Sequence, residues 1–165
     1  MKQWEADRKK MPRVLIVAYG NPQRGDDGVG WVIAAQLRRT LVSPEVQILQ
    51  LQQLVPEVAA DVSRVEAVVF VDASCQGVPG EIRRKPVTAT PGKVRFSHHL
   101  SPADVLELAR QLYGAAPQAF CISLTGHNFG HNEELSPTAT AQLPQLAAAV
   151  QELAKQILEK TFPAS

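Results

Sequence analysis

Residues 14–30 read VLIVAYGNPQRGDDGVG. The first five residues form a continuous apolar run, which is typical of a strand covered on both faces in a parallel sheet. A glycine-rich loop follows, and from Gly28 apolar residues recur at helical spacing to near Arg39. A strand, a loop and a helix in this order indicate the first unit of an α/β fold.

The same alternation continues along the chain. Further strands are predicted at 46–51, 67–71 and 119–124, with a proline-containing edge strand at 81–87. Helices are predicted from Pro56 to about Val62, from Ser101 to Gly114, and from Ser136 onward. Pro144 is expected to kink or delay the last helix. These elements predict a mainly parallel, twisted sheet with helices on both faces.

Composition and charge limit the classes of function. The 165 residues suit one domain, whose first twelve residues read as a polar extension. The 17 Lys and Arg nearly balance the 16 Asp and Glu, so binding to nucleic acid or to an acidic membrane surface is not expected. The polar N-terminus and the absence of a long apolar run predict a cytoplasmic protein without a membrane span. Cys75 and Cys121 form no CxxC pair and are expected to be reduced thiols.

The loop after the first strand carries two adjacent carboxylates, Asp26 and Asp27. Neither GxGxxG nor GxxxxGK[ST] occurs there, and the two charges would repel a phosphate at the helix start. The loop therefore favours a cation. An alternative stays open, in which the two aspartates cap the helix and complement its dipole, or in which each has one of the two roles.

Asp72 ends the third apolar strand, and His98 and His99 precede the Ser101 helix start. Loops at the carboxyl ends of the strands of an α/β sheet carry its functional groups, so these side chains are expected near Asp27. Individually, strand-end aspartates form turns and loop histidines are often solvated. Together, Asp27, Asp72 and His98 provide two carboxylates and one imidazole, which suit a borderline divalent ion. Three ligands leave coordination positions open, as in a recognition or catalytic site.

Two further histidines and a cysteine receive weaker predictions. His127 and His131 have an HxxxH spacing, but the glycines and asparagines between and around them indicate a loop, from which they could support metal ligands without binding metal themselves. Cys75 has no evident base to activate it and is interpreted as incidental.

The order of these motifs resembles the hydrogenase maturation protease family over nearly the whole chain. The shared features are a Gly-Asn turn after the first strand, an acidic pair before a glycine-containing helix start, and a strand ending in Asp-Ala. They continue with a histidine shortly before an Ala-Asp-Val-Leu helix and a Leu-Ser-Pro start of the final helix. In this chain they are Gly20-Asn21, Asp26-Asp27-Gly28-Val29-Gly30, Val71-Asp72-Ala73, Ser97-His98, Ala103-Asp104-Val105-Leu106 and Leu135-Ser136-Pro137.

Members of this family clip a C-terminal tail from the large subunit of nickel-iron hydrogenases. The resemblance implies a three-layer α/β/α sandwich around a twisted, mainly parallel sheet, and an endopeptidase whose partner is a large-subunit precursor. It also implies that Asp27, Asp72 and His98, but not His99, are the catalytic residues and contact the metal. Nickel would arrive with the substrate, so the isolated protein would need no nickel of its own.

Two features depart from the family pattern. Some members have Glu at the position of Asp27, and many have an Asp-Gly-Gly-Thr-like recognition loop after the second strand. Here residues 50–57 read QLQQLVPE, which resembles the branch serving cytosolic, bidirectional-type hydrogenases. Three alternatives to the protease remain: a resident-zinc hydrolase of peptides or amides, a nickel sensor or chaperone without proteolysis, and a nucleotide-binding α/β protein.

Overall fold

Five strands form a sheet in the computed structural model, which describes residues 2–3, 11–96 and 99–160. The order of the strands across the sheet is β2-β1-β3-β5-β4, and all neighbours are parallel except β4, which is antiparallel to β5. The strands are β1 (Val14–Tyr19), β2 (Val46–Leu51), β3 (Ala67–Ser74), β4 (Ile82–Pro86) and β5 (Gln118–Thr125).

Helices cover both faces of the sheet. A short 3-10 turn, Gly25–Gly28, leads into the first helix. One face packs against α1 and α4, and the other packs against α2 and α3. The helices are α1 (Val29–Thr40), α2 (Val58–Val62), α3 (Pro102–Tyr113) and α4 (Pro137–Glu159). The three-layer α/β/α architecture is therefore confirmed. Within the described residues no helix is long and apolar enough to cross a bilayer.

The apolar run of β1 is buried on both sides, as its sequence predicts. Ile16 faces α1 and α4, whereas Leu15 and Val17 face α2 and α3, and all three are fully buried. Successive side chains of a strand point to opposite faces, so a strand between two helical layers has to be apolar throughout. This explains why the three central strands lack the alternation of a half-exposed sheet.

Side-chain caps fix the starts of α3 and α4. The Ser101 hydroxyl accepts a hydrogen bond from the Asp104 amide at 3.2 Å, and the Asp104 carboxylate accepts one from the Ser101 amide at 2.9 Å. This reciprocal pair is a capping box. The Ser136 hydroxyl accepts a hydrogen bond from the Ala139 amide at 3.1 Å. Both predicted helix starts are confirmed.

Two local predictions differ from the structure. The third strand continues past Asp72 to Ser74, because residues 72–74 pair in register with 123–125 of β5. The last helix is not delayed by Pro144: it begins at Pro137 and is helical to Glu159. Proline has no N–H to donate to the Thr140 carbonyl, and burial of the apolar stripe after it compensates for that missing bond.

Candidate functional site

A cavity of about 310 Å³ lies at the carboxyl ends of β1 and β2. Its wall comes from the loop after β1, the loop after β2, and the residues before α3. The lining residues are Tyr19, Gly20, Asn21, Arg24, Asp27, Gln52, Gln53, Leu54, His99 and Leu100. The position is the one expected for the functional site of an open α/β sheet.

A second cavity extends the first one. It has a volume of about 760 Å³, shares residues 53–54 and 99–100 with the first cavity, and continues past Pro56 to Phe96. Phe96 is 63% exposed and gives this end of the cavity an apolar side chain. We call the two cavities together the groove. It is polar at the end that Asp27 and Arg24 line, which we call the acidic end after Asp27, and mainly apolar at the Phe96 end.

The tight turn after β1 fixes Asp27 at one end of the groove. The Asn21 amide donates a hydrogen bond of 2.7 Å to the Asp27 carboxylate. Gly20 has a φ of +147°, and a Cβ atom at this position would lie only 2.0 Å from the Asp27 carbonyl oxygen. Only glycine allows this close approach, so the Gly-Asn turn and the position of Asp27 depend on each other.

Asp26 is fully buried and binds a different part of the chain. Its carboxylate accepts hydrogen bonds from the amides of His127 (2.7 Å), Asn128 (3.1 Å) and Ser136 (2.7 Å), and from the Ser136 hydroxyl (2.8 Å). Burial alone would raise the pKa of Asp26, but these hydrogen bonds outweigh it and the pKa is lowered. Asp26 therefore joins the loop before α1 to the loop before α4.

The capping alternative for the two aspartates is not what the structure shows. Neither the 3-10 turn nor α1 has a side-chain hydrogen bond at its N-cap. Asp27 is half-buried and faces the groove, whereas Asp26 is structural. The two carboxylates thus have separate roles, and both roles depend on backbone amides outside α1.

Asp72 lies near the carboxyl end of β3 on the face that packs against α2 and α3. The Tyr19 hydroxyl donates a hydrogen bond of 2.6 Å to Asp72 Oδ2, and the Cys121 thiol lies 3.7 Å from Oδ1. Burial raises the pKa of Asp72, and these two donors act in the opposite direction. Burial also raises the pKa of Tyr19, and it raises that of Cys121 to about 12. Tyr19 and Cys121 therefore stay protonated at neutral pH and can donate to Asp72.

Tyr19 connects the two acidic side chains. Its ring lines the cavity beside Asp27, while its hydroxyl binds Asp72. The negative charge of Asp27 contributes to the raised pKa of Asp72 and to that of Tyr19, so the two carboxylates are close enough to repel each other. Asp27 lines the cavity, and Asp72 is bonded to the Tyr19 hydroxyl but does not line the cavity itself.

The third predicted ligand, His98, lies outside the described residues, as does Ser97. Its role stays a prediction. The next residue, His99, lines both cavities of the groove. Within residues 11–96 and 99–160, no group of three or more His, Cys, Asp and Glu side chains could hold a metal ion. The described part of the site thus provides carboxylates but not a complete set of metal ligands.

The segment before α3 is held by a buried carboxylate. Glu107 is 1% exposed and accepts hydrogen bonds from Arg110 (2.6 and 2.9 Å) and from the Gln111 amide group (2.7 Å). Gln111 also donates to the Gly92 carbonyl at 2.7 Å. The hydrogen bonds from Arg110 lower the pKa of Glu107 to about 2, so this carboxylate stays ionised. The backbone at Gly92 is therefore attached to α3.

The exposed residues His127, His131 and Cys75 are not among the residues that line the groove. His127 and His131 are exposed loop residues, and His127 reaches the site region only through its amide bond to Asp26. Cys75 is exposed and Cys121 is buried, and both are free. Sequence reasoning missed Tyr19 and Cys121 as neighbours of Asp72. Tyr19 ends β1 and Cys121 lies in the middle of β5, so the only signal for them was that both strands pair with β3.

Comparison of the sequence with protein-family models and with curated proteins gives no match. Solved structures do match, over most of the chain. The [NiFe] hydrogenase maturation protease HycI from Thermococcus kodakarensis KOD1 is 26% identical, with a TM-score of 0.67 over 93% of this chain and 99% of its own. The hydrogenase maturating endopeptidase HybD from E. coli is 20% identical, with a TM-score of 0.72 over 87% and 93%. A hydrogenase 2 maturation peptidase from a Thaumarchaeota archaeon is 19% identical, with a TM-score of 0.63 over 86% and 97%.

The likeness to HybD and to the archaeal peptidase shows the shared fold, and the likeness to HycI extends to sequence over nearly the full length of both chains. The Gly20-Asn21 turn, Asp27 and the Val71-Asp72-Ala73 strand end lie together at the carboxyl edge of the sheet. On these grounds the chain shares the fold of the hydrogenase maturation proteases and carries these motifs at the corresponding edge of the sheet.

Proposed function

We propose that this protein is a cytoplasmic endopeptidase that removes the C-terminal extension of a nickel-iron hydrogenase large-subunit precursor after nickel insertion. The observation that carries the proposal is the likeness to a [NiFe] hydrogenase maturation protease over 99% of that chain, at 26% identity. The groove beside Asp27 supports it, because an extended peptide fits a groove better than a closed pocket.

Nickel in the precursor is recognised through Asp27, Asp72 and His98. Asp27 lines the cavity, Asp72 accepts a hydrogen bond from the Tyr19 hydroxyl, and the charge of Asp27 contributes to the raised pKa of Asp72. A divalent cation between the two carboxylates would relieve their repulsion and compensate for the burial of Asp72. An imidazole from His98 would complete a mixed oxygen and nitrogen set, which suits a borderline ion.

The nickel ion is cargo of the substrate, so its presence reports that the precursor is loaded. Binding it at the acidic end of the groove would place the neighbouring peptide bond beside the protein carboxylates. Hydrolysis then needs a water molecule to add to the carbonyl carbon, a carboxylate to accept the proton of that water, and the proton to pass to the leaving amine as the C–N bond breaks. A precursor without nickel would lack this anchor.

The test follows the mass of a large-subunit precursor incubated with the protein, with and without nickel. We expect the precursor to lose its C-terminal extension only when nickel is loaded. The variants Asp27→Ala, Asp72→Ala and His98→Ala should each leave the precursor intact. The matched controls Glu152→Ala and His131→Ala remove an exposed carboxylate and an exposed imidazole that do not line the groove, and should process normally.

The outcomes separate the alternatives. Nickel-dependent binding without a change in mass would indicate a sensor or chaperone rather than a protease. Stoichiometric zinc in the gently purified protein, with nickel-independent cleavage, would indicate a resident-zinc hydrolase. Wild-type processing by both Asp72→Ala and His98→Ala would refute the assignment of the site.

A further inference from the structure

We propose that the outer edge of β2 binds an extended segment of the precursor as an additional strand and directs it into the groove. The inference rests on the proposed function and adds the recognition surface for the substrate. The partner it fits is an extended polypeptide segment without proline at the paired positions. Such β-strand addition takes its affinity from main-chain hydrogen bonds.

The register of the sheet shows which backbone groups of β2 face outward. The Glu45 carbonyl accepts a hydrogen bond from the Val14 amide at 3.0 Å, and the Leu51 carbonyl accepts one from the Gly20 amide at 3.0 Å. In a parallel ladder, alternate residues direct both their N–H and C=O groups to the same neighbour. Residues 45, 47, 49 and 51 therefore face β1, and residues 46, 48 and 50 face away from it.

The outward groups of Ile48 and Gln50 have no backbone partner among the described residues. The Val46 amide is used locally, in a bond to the Ser43 carbonyl at 3.2 Å. Two consecutive outward positions thus have two donors and two acceptors without a backbone partner in the part of the chain that the structure describes. A partner strand needs this spacing, because it pairs with every second residue.

The two edges of the sheet differ in how they are protected. The edge strand β4 carries Arg83, Arg84, Lys85 and Pro86, and charges and proline are the usual protection of an edge against pairing. The edge strand β2 reads VQILQL, without a charge or a proline. All six of its residues are half-buried. Protection of one edge and not of the other indicates that β2 is the edge available for pairing.

The edge of β2 continues directly into the groove. Leu51 is the last residue of the strand, and residues 52–54 line the cavity beside Asp27. The Leu51 carbonyl is fixed by two donors, the Gly20 amide and the Trp31 indole N–H, each at 3.0 Å. A segment paired along residues 48–50 would therefore reach the acidic end of the groove within a few residues, at about 3.3 Å per residue.

Amide hydrogen exchange tests the geometry and the binding separately. In the free protein the amides of Gln47 and Leu49 should exchange slowly, and those of Ile48 and Gln50 should exchange quickly. A short exchange pulse with nickel-loaded precursor in excess, so that the protein stays saturated during turnover, should protect the Ile48 and Gln50 amides at least about tenfold. Protection that grows with protein concentration in the absence of precursor would place a second copy of the chain on this edge and overturn the proposal.

Substitution of Ile48 gives the matching kinetic test. Ile48→Pro removes an outward N–H without removing a bond to β1, whereas the control Ile48→Ala loses more of the side chain and keeps the N–H. We expect Ile48→Pro to raise KM for the nickel-loaded precursor by about fivefold, the equivalent of one hydrogen bond, with kcat unchanged. Ile48→Ala should stay within about twofold of the wild type.

The two proposals fail in different ways. Cleavage by the wild-type protein, with unprotected Ile48 and Gln50 amides in the presence of precursor, would overturn the edge-strand proposal and leave the protease intact. The same conclusion follows if Ile48→Pro is folded and has an unchanged KM. If Ile48→Pro does not fold, the exchange pulse on the wild-type protein decides the matter alone. Absence of any cleavage by the wild-type protein refutes the proposed function first.

Discussion

Replacement of Asp26 by alanine should destabilise the protein more than any other single carboxylate removal near the site. Asp26 is fully buried and accepts four hydrogen bonds, two of them from Ser136, which is only 8% exposed. The amides of His127 and Asn128 belong to exposed residues and can rebind water. The two Ser136 donors cannot bind water in this way, because they are buried. Each buried donor left without a partner lowers the free energy of unfolding by about 1–3 kcal/mol. We therefore expect a loss of about 4 kcal/mol.

The assay is urea denaturation followed by far-UV circular dichroism. Asp104→Ala is the matched control, because it removes an aspartate that accepts one capping hydrogen bond, from the Ser101 amide. Loss of such a cap costs about 1 kcal/mol. The reasoning is refuted if Asp26→Ala is destabilised no more than Asp104→Ala.

The pH dependence of stability gives an independent check on Asp26. Its pKa in the folded protein is lowered from the ordinary value of 3.8. A carboxyl group with a lowered folded-state pKa contributes stability above its unfolded-state value, and that stability is lost as pH falls through the folded-state value. The wild-type protein should therefore lose stability as pH falls below about 3.8, and Asp26→Asn should show a shallower loss over the same range.

Three further substitutions test the groove. Asp72→Asn should raise the urea midpoint at pH 7 and abolish processing. The folded-state pKa of Asp72 is raised, so the stability that its carboxyl group contributes is lost as pH rises. An unchanged or lower midpoint would contradict this reasoning. Tyr19→Phe should lower the free energy of unfolding by about 1 kcal/mol in the same urea assay, because it removes the 2.6 Å hydrogen bond to Asp72. Wild-type stability would contradict a hydrogen bond of that strength. Gly20→Ala should lower the free energy of unfolding by at least about 3 kcal/mol, because its Cβ would lie 2.0 Å from the Asp27 carbonyl oxygen. A thermal melt like that of the wild type would show that the turn is not constrained in this way.

The fold could be predicted from sequence because its strands are buried on both faces. Runs such as 14–18 and 67–71 have no polar residue, which leaves a central strand between two helical layers as the simplest explanation. The starts of α3 and α4 could also be predicted, since the Ser101 and Ser136 hydroxyls accept capping hydrogen bonds from amides only three residues further along the chain. The effect of Pro144 could not be predicted from sequence, because the burial that keeps α4 helical there depends on packing against the sheet.

The site could be predicted only in part. Asp27 and Asp72 were found because Asp27 follows β1 and Asp72 lies near the carboxyl end of the apolar run of β3. The contacts of Asp72 could not be predicted. Tyr19 is 53 residues away in sequence and Cys121 is 49 residues away, and only the strand register brings them together. The separate role of Asp26 has the same origin, since its partner Ser136 lies 110 residues further along the chain.

The indole of Trp31 gives the molecule an intrinsic optical probe. The chain has two tryptophans, so a Trp4→Phe variant would emit from Trp31 alone. Because the Trp31 N–H is bound to the carbonyl at the last residue of β2, its fluorescence would report on the junction between the strand edge and the acidic end of the groove. Arrival of a precursor could then be followed in real time by stopped-flow emission, without a label and before any peptide bond is cut.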